Sequence, residues 1–150
     1  MIKKEVAIIV LTAGVVGPAG WLAAGAHQAP SDRYVLERES QIAVEEPGTH
    51  KGGGMTVGYS FFRNTPNLKL VFRKRALKPG SAVGYHLQKE DEIYYVVSGR
   101  GEMTIDGKSF EVKAGDAVLT RPGASHGLKQ VGAEDLVIMI NYEQQPRPAR

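Results

Sequence analysis

The chain has 150 residues, 42% hydrophobic and 23% charged, with a formal net charge of +3 and no cysteine. That length supports one main core, and the absence of cysteine excludes any disulfide staple. The one basic run interleaved with apolar residues, Lys69-Leu-Val-Phe-Arg-Lys-Arg75, reads as a strand, so nucleic acid is not indicated as a partner.

The first element is a short basic start, Met1-Ile-Lys-Lys-Glu5, followed by an apolar run from Val6 to Val16. Ala24-Gly25-Ala26 then offers small residues at both recognition positions of a cleavage site. This order predicts a signal peptide over 1–26 and export to the periplasm or beyond the cell. The apolar run falls short of the roughly 20 residues a bilayer span needs, and Gly17-Pro18 would break a longer helix. No stable membrane insertion is therefore expected after cleavage; an uncleaved anchor or a buried helix is the alternative. Without Lys3, Lys4 and Glu5, the remaining chain carries 17 basic and 15 acidic residues.

From His27 onward every signal is β. The 27–68 region combines a polar linker with short strands expected at 34–38, 41–45 and 56–63. Between them Pro47 to Gly54 is a loop on its glycine content, and Asn64-Thr-Pro66-Asn67 ends the third strand. His50 in that loop reads as a surface histidine on a linker, with a mobile lid as the alternative. The 69–142 core is expected to hold strands at 69–76, 82–88, 92–97, 101–105, 108–113, 116–120, 126–131 and 135–142. Asp106-Gly107 between two of them is a two-residue hairpin signal. Residues 143–150 read as a loose tail. Many short strands with Gly and Pro turns, and no sustained helical period, predict an all-β barrel or sandwich.

The chemistry concentrates in two blocks. In Gly80-Ser-Ala-Val-Gly-Tyr-His86-Leu-Gln88-Lys-Glu-Asp-Glu92, His86 and Gln88 are two apart on a strand and share a face. Glu92 follows after a short charged connection. In Gly115-Asp-Ala-Val-Leu-Thr-Arg-Pro-Gly123-Ala-Ser-His126, a histidine follows a Pro-Gly turn. Two imidazoles and one carboxylate suit a divalent metal with open positions, Fe(II) or Mn(II) rather than Zn(II), Ni(II) or Cu(II). Gln88 would add a neutral amide oxygen or orient a bound water. Without a metal, the four are simply polar residues at strand ends.

These two blocks resemble the two signature motifs of the cupin superfamily. In the first, Gly80, His86, Glu92 and Gly99 fall in register and Gln88 stands where a second histidine is usual. In the second, Gly115, Gly123 and His126 match, Arg121 takes the proline position, and Gln130 replaces an asparagine. The resemblance spans residues 69–142. It implies a double-stranded β-helix (a jelly-roll barrel), one metal inside, and a homodimer; the apolar, β-rich segments before residue 69 are candidates for edge-strand exchange between its subunits. It implies no reaction, because the same fold hosts dioxygenases, isomerases, lyases, decarboxylases and binders.

Other candidates are weaker. Tyr94 shares the face of Glu92 and is either a pocket hydroxyl, the one candidate catalytic acid or base, or a wall aromatic. Arg73 and Arg75 share a strand face and would bind an anionic substrate if that face looks inward; a solvated face is the commoner arrangement. Arg121, in the turn before His126, is a third possible substrate contact. The expected function is metal-assisted chemistry on a small, oxygen-rich molecule: dioxygen insertion, isomerisation or elimination. The rival from another class is a carbohydrate or small-acid binding module without turnover.

Overall fold

The computed structural model describes residues 33–144 and divides the chain into two units, Met1–Arg33 and Tyr34–Arg150; the second holds everything below. The expected leader over 1–26 and most of the loose tail lie outside the described residues. Among the described residues, no helix is long and apolar enough to cross a membrane.

The described residues of this unit are mainly β and form ten strands: β1 (Ala43–Pro47), β2 (Met55–Phe61), β3 (Leu70–Leu77), β4 (Ala82–Leu87), β5 (Glu92–Ser98), β6 (Arg100–Ile105), β7 (Lys108–Lys113), β8 (Ala117–Thr120), β9 (Ser125–Val131) and β10 (Leu136–Glu143). They form two antiparallel sheets, ordered β1-β2-β3-β10-β5-β8 and β4-β9-β6-β7. Alternation assigns the faces. On β5, Tyr94 and Val96 are buried while Ile93, Tyr95 and Val97 are exposed. On β10, Leu136, Ile138 and Ile140 turn inward. Val83, Met103, Val112 and Leu128 from the second sheet complete one core between the sheets. Each such side chain contributes roughly 1.5–3 kcal/mol by leaving water. Asp106 and Gly107 both have positive φ, as a type I′ turn requires, and they join β6 to β7.

Two expectations near the start fail. Residues 34–38 form no strand: Tyr34, Val35 and Leu36 are exposed, and the Glu37 carboxylate accepts the Phe62 N–H at 2.6 Å instead. The strand expected at 41–45 begins at Ala43, after a single helical turn, α1 (Glu39–Ile42), whose Glu39 pairs with Lys74 at 2.6 Å. Composition predicts strands at both places, but residues 34–38 pair with no strand of either sheet.

One irregularity matters for the site. Strict alternation from buried Val83 would send Tyr85 and Leu87 inward, yet both are more than half exposed. The β4–β9 register slips between Val83 and His86, leaving Gly84 and Tyr85 opposite Gly127. This β-bulge inserts one residue and turns His86 toward the interior.

Candidate metal and ligand site

His86 and His126 are directly opposed partners on β4 and β9. Glu92 opens β5 on the facing sheet, so the three groups approach from both sides of the core. Their candidate ligand atoms all lie within 4.8 Å of one another. His126 is fully buried, and Glu92 is 7% exposed.

Hydrogen bonding indicates whether this set suits a divalent ion. His86 Nδ1 lies 2.8 Å from the Gly84 carbonyl, and a carbonyl can only accept. Nδ1 therefore carries the proton and Nε2 keeps its lone pair, the arrangement usual for a ligating imidazole. Glu92 Oε2 and His126 Nδ1 are buried without a hydrogen-bond partner. Oε2 also lies 3.0 Å from His126 Nε2, but without hydrogen-bond geometry. That separation matches two neighbouring ligands of one ion, about 3 Å apart when each bond is near 2.1 Å. A buried carboxylate oxygen left without a donor is costly unless a cation satisfies it. The residues fit a metal.

The cluster opens into a cavity of about 270 Å³ whose lining includes His50, Arg73, Arg75, Gln88, Tyr94 and Tyr142. Gln88 is buried, its amide at most weakly tied to Glu90 at 3.5 Å. Its backbone is held at both ends by the Pro-Gly turn: Gln88 N–H donates to the Ala124 carbonyl at 2.8 Å, and Gly123 N–H to the Gln88 carbonyl at 2.9 Å. The second block thus sets the position of a residue from the first. Tyr94 lies at the back, its hydroxyl 3.4 Å from His126 Nε2. Burial, reinforced by the negative charge of Glu92, holds its phenol well above the usual tyrosine range, so it stays protonated and serves as a donor.

The two arginines separate. Arg75 is buried and spent on structure, donating to Thr56 Oγ1 at 2.7 Å and pairing with Glu46 at 2.8 Å. Arg73 reaches the same cavity over the Tyr142 ring, at 5.8 Å, with its Nε buried and unpartnered. Arg121 is exposed, pairs with Asp91 at 3.1 Å and does not line this cavity. Gln130, from the second block, braces turns: it accepts the Gly80 N–H at 2.8 Å and donates to the Gly132 and Glu134 carbonyls.

A family model for the cupin domain matches residues 74–142. A Thermotoga maritima protein described as an oxalate-binding protein is 35% identical over 106 residues, covering 68% of this chain and 88% of that one. The chain belongs to the cupin family. Among solved structures, a predicted oxalate decarboxylase from Thermotoga maritima superposes with a TM-score of 0.67 at 30% identity, over 74% of this cupin and all of the other chain. A putative sugar phosphate isomerase from Acidithiobacillus ferrooxidans superposes with a TM-score of 0.62 at 20% identity, covering 74% and 75%. That second likeness concerns the fold alone.

The residue that sequence reasoning missed in this cupin is His50. It lines the cavity, and its ring stacks on His86 with centroids 3.5 Å apart and planes 2° from parallel. The surface position expected for His50 holds, but nothing local signals the docking on His86. Gly48, Gly52 and Gly84 have no room for a Cβ: Gly48 and Gly52 press on the Ala82 carbonyl, Gly84 on that of His50. The loop lies backbone-to-backbone on β4, its end fixed by Ser81 Oγ, which bonds both Met55 N–H and the Met55 carbonyl. Partial desolvation against the cavity wall, reinforced by the neighbouring His86, lowers the His50 pKa. Gly84→Ala is expected to destabilise the domain by about 1–3 kcal/mol and to undock the loop, since the added methyl has no room against the His50 carbonyl. Chemical denaturation checks this, and unchanged stability would show that the packing gives way readily.

Proposed function

We propose that this cupin binds one divalent metal, Mn(II) or Fe(II), through His86, Glu92 and His126, and through it a small dicarboxylate of the oxalate class. The observation that carries the proposal is the buried, donor-less Glu92 carboxylate oxygen beside two imidazoles, at the floor of a cavity that also holds the unpartnered Arg73 Nε. When bound, the metal would supply positive charge and open positions for a chelating acid. Arg73 would then meet the far carboxylate with charge-assisted hydrogen bonds. The Tyr94 hydroxyl, kept protonated, would donate to a bound oxygen. The oxalate-binding relative supports this ligand class.

Binding rather than turnover is proposed, because the relative is described as oxalate-binding and the buried Tyr94 phenol, with an ordinary pKa of about 10, is a donor and a poor general base. Thermal unfolding of metal-free and Mn(II)-loaded protein, with and without oxalate, tests the proposal. Oxalate should raise the midpoint of the loaded protein only; at a hundredfold excess over its dissociation constant the gain is about 2.7 kcal/mol. Equal stabilisation without metal, or none with it, overturns the reading. Conversion of oxalate to formate and carbon dioxide by the loaded protein would replace binding with catalysis.

A further inference from the structure

We infer that His50 is a positioning and ligand-contacting residue of this site, holding the His86 ring in plane and hydrogen-bonding the acid in the cavity. The ligand half of this inference rests on the proposed function; the positioning half does not. Four observations converge. The His50 ring lies flat on His86 at 3.5 Å, so His86 cannot swing about its Cβ–Cγ bond on that side. His86 Nδ1 is tied to Gly84, the residue whose Cα lies under the His50 carbonyl, so one backbone contact sets both rings. His50 and Lys51 both adopt positive φ, a conformation side chains rarely take, and the glycine packing holds it. Finally, His50 is exposed at the cavity rim, where its ring nitrogens can hydrogen-bond an entering ligand.

The stacking geometry also states what His50 is not. A metal in the plane of the His86 ring cannot lie in the parallel plane 3.5 Å away, so both rings cannot ligate one ion as they stand. His50 is therefore assigned contact with the bound acid, from a loop rather than a strand. The usual imidazole at position 88 is replaced here by an amide, and His50 brings a further imidazole to the cavity from outside both motifs.

The test uses full-length protein loaded with Co(II), whose visible spectrum reports ligand geometry, and calorimetric titration with oxalate. His50→Phe keeps a flat ring and removes the hydrogen bonds. It should retain Co(II) affinity within about threefold and an unchanged spectrum, while oxalate affinity falls about tenfold, the worth of one hydrogen bond. His50→Ala removes the stack as well and should shift or broaden the Co(II) spectrum; His50→Gln should recover part of the oxalate affinity. Thermal melts confirm that each variant is folded. Wild-type oxalate affinity in His50→Phe overturns the ligand contact. Loss of Co(II) in His50→Phe as complete as in His126→Ala makes His50 a ligand and also overturns the assignment. If wild type takes Co(II) but no oxalate, the ligand class and with it the contact fall. The positioning role is then decided by His50→Ala alone, and an unchanged spectrum overturns it.

Discussion

His126→Ala is expected to lower Mn(II) affinity by more than about 100-fold, beyond the 10–100-fold that partners outside the coordination shell typically cost. The reason is geometric: His126 is fully buried, opposite His86 and 3.0 Å from the Glu92 carboxylate, so nothing mobile can take its place. Oxalate-dependent stabilisation should vanish with the metal. Gln88→Ala should be milder, about 10-fold, because the amide is neutral and the three charged or imidazole donors remain. Gln88→His would add an imidazole and shift preference toward Zn(II), Ni(II) and Cu(II). Anaerobic titration of the variants measures all three. If Gln88→Ala removes the metal as completely as His126→Ala, Gln88 is a principal ligand and the three-residue assignment is wrong.

The second large effect separates two neighbours that sequence treats alike. Arg75→Met should cost about 2 kcal/mol, on the order of 10 °C in the unfolding midpoint, because it strips the Glu46 carboxylate of its partner inside the sheet. The figure lies below that for a fully buried pair because Glu46 is 40% exposed. Arg73→Met should leave stability within about 1 kcal/mol, since its Nε has no partner to lose. Its loss should appear in oxalate affinity, about 10–100-fold for one charge-assisted hydrogen bond. Paired denaturation and calorimetry on both variants decide it. A stable Arg75→Met protein that no longer binds oxalate, beside an unaffected Arg73→Met, would reverse the roles.

The sequence by itself determined what rests on local periodicity and spacing. Alternation marked the strands from β3 to β10 to within a residue or two, and Asp106-Gly107 announced the β6–β7 turn because only that turn type wants two positive φ angles. The spacing of His86, Glu92 and His126 identified a group that the fold gathers within 4.8 Å. What only the tertiary structure decided involves partners distant in sequence. The bulge that turns His86 inward exists only in the pairing of β4 with β9. Arg73 and Arg75 differ because β1 delivers Glu46 to one and not the other. Residues 34–38 have strand-like composition but pair with no strand, and are tied down instead through Glu37 to the Phe62 N–H. His50 reaches the site because three glycines let one backbone lie on another, a contact between segments thirty or more residues apart. Local propensity is read along the chain; docking of one backbone on another depends on which side chains are absent at both surfaces, and no window of sequence contains both.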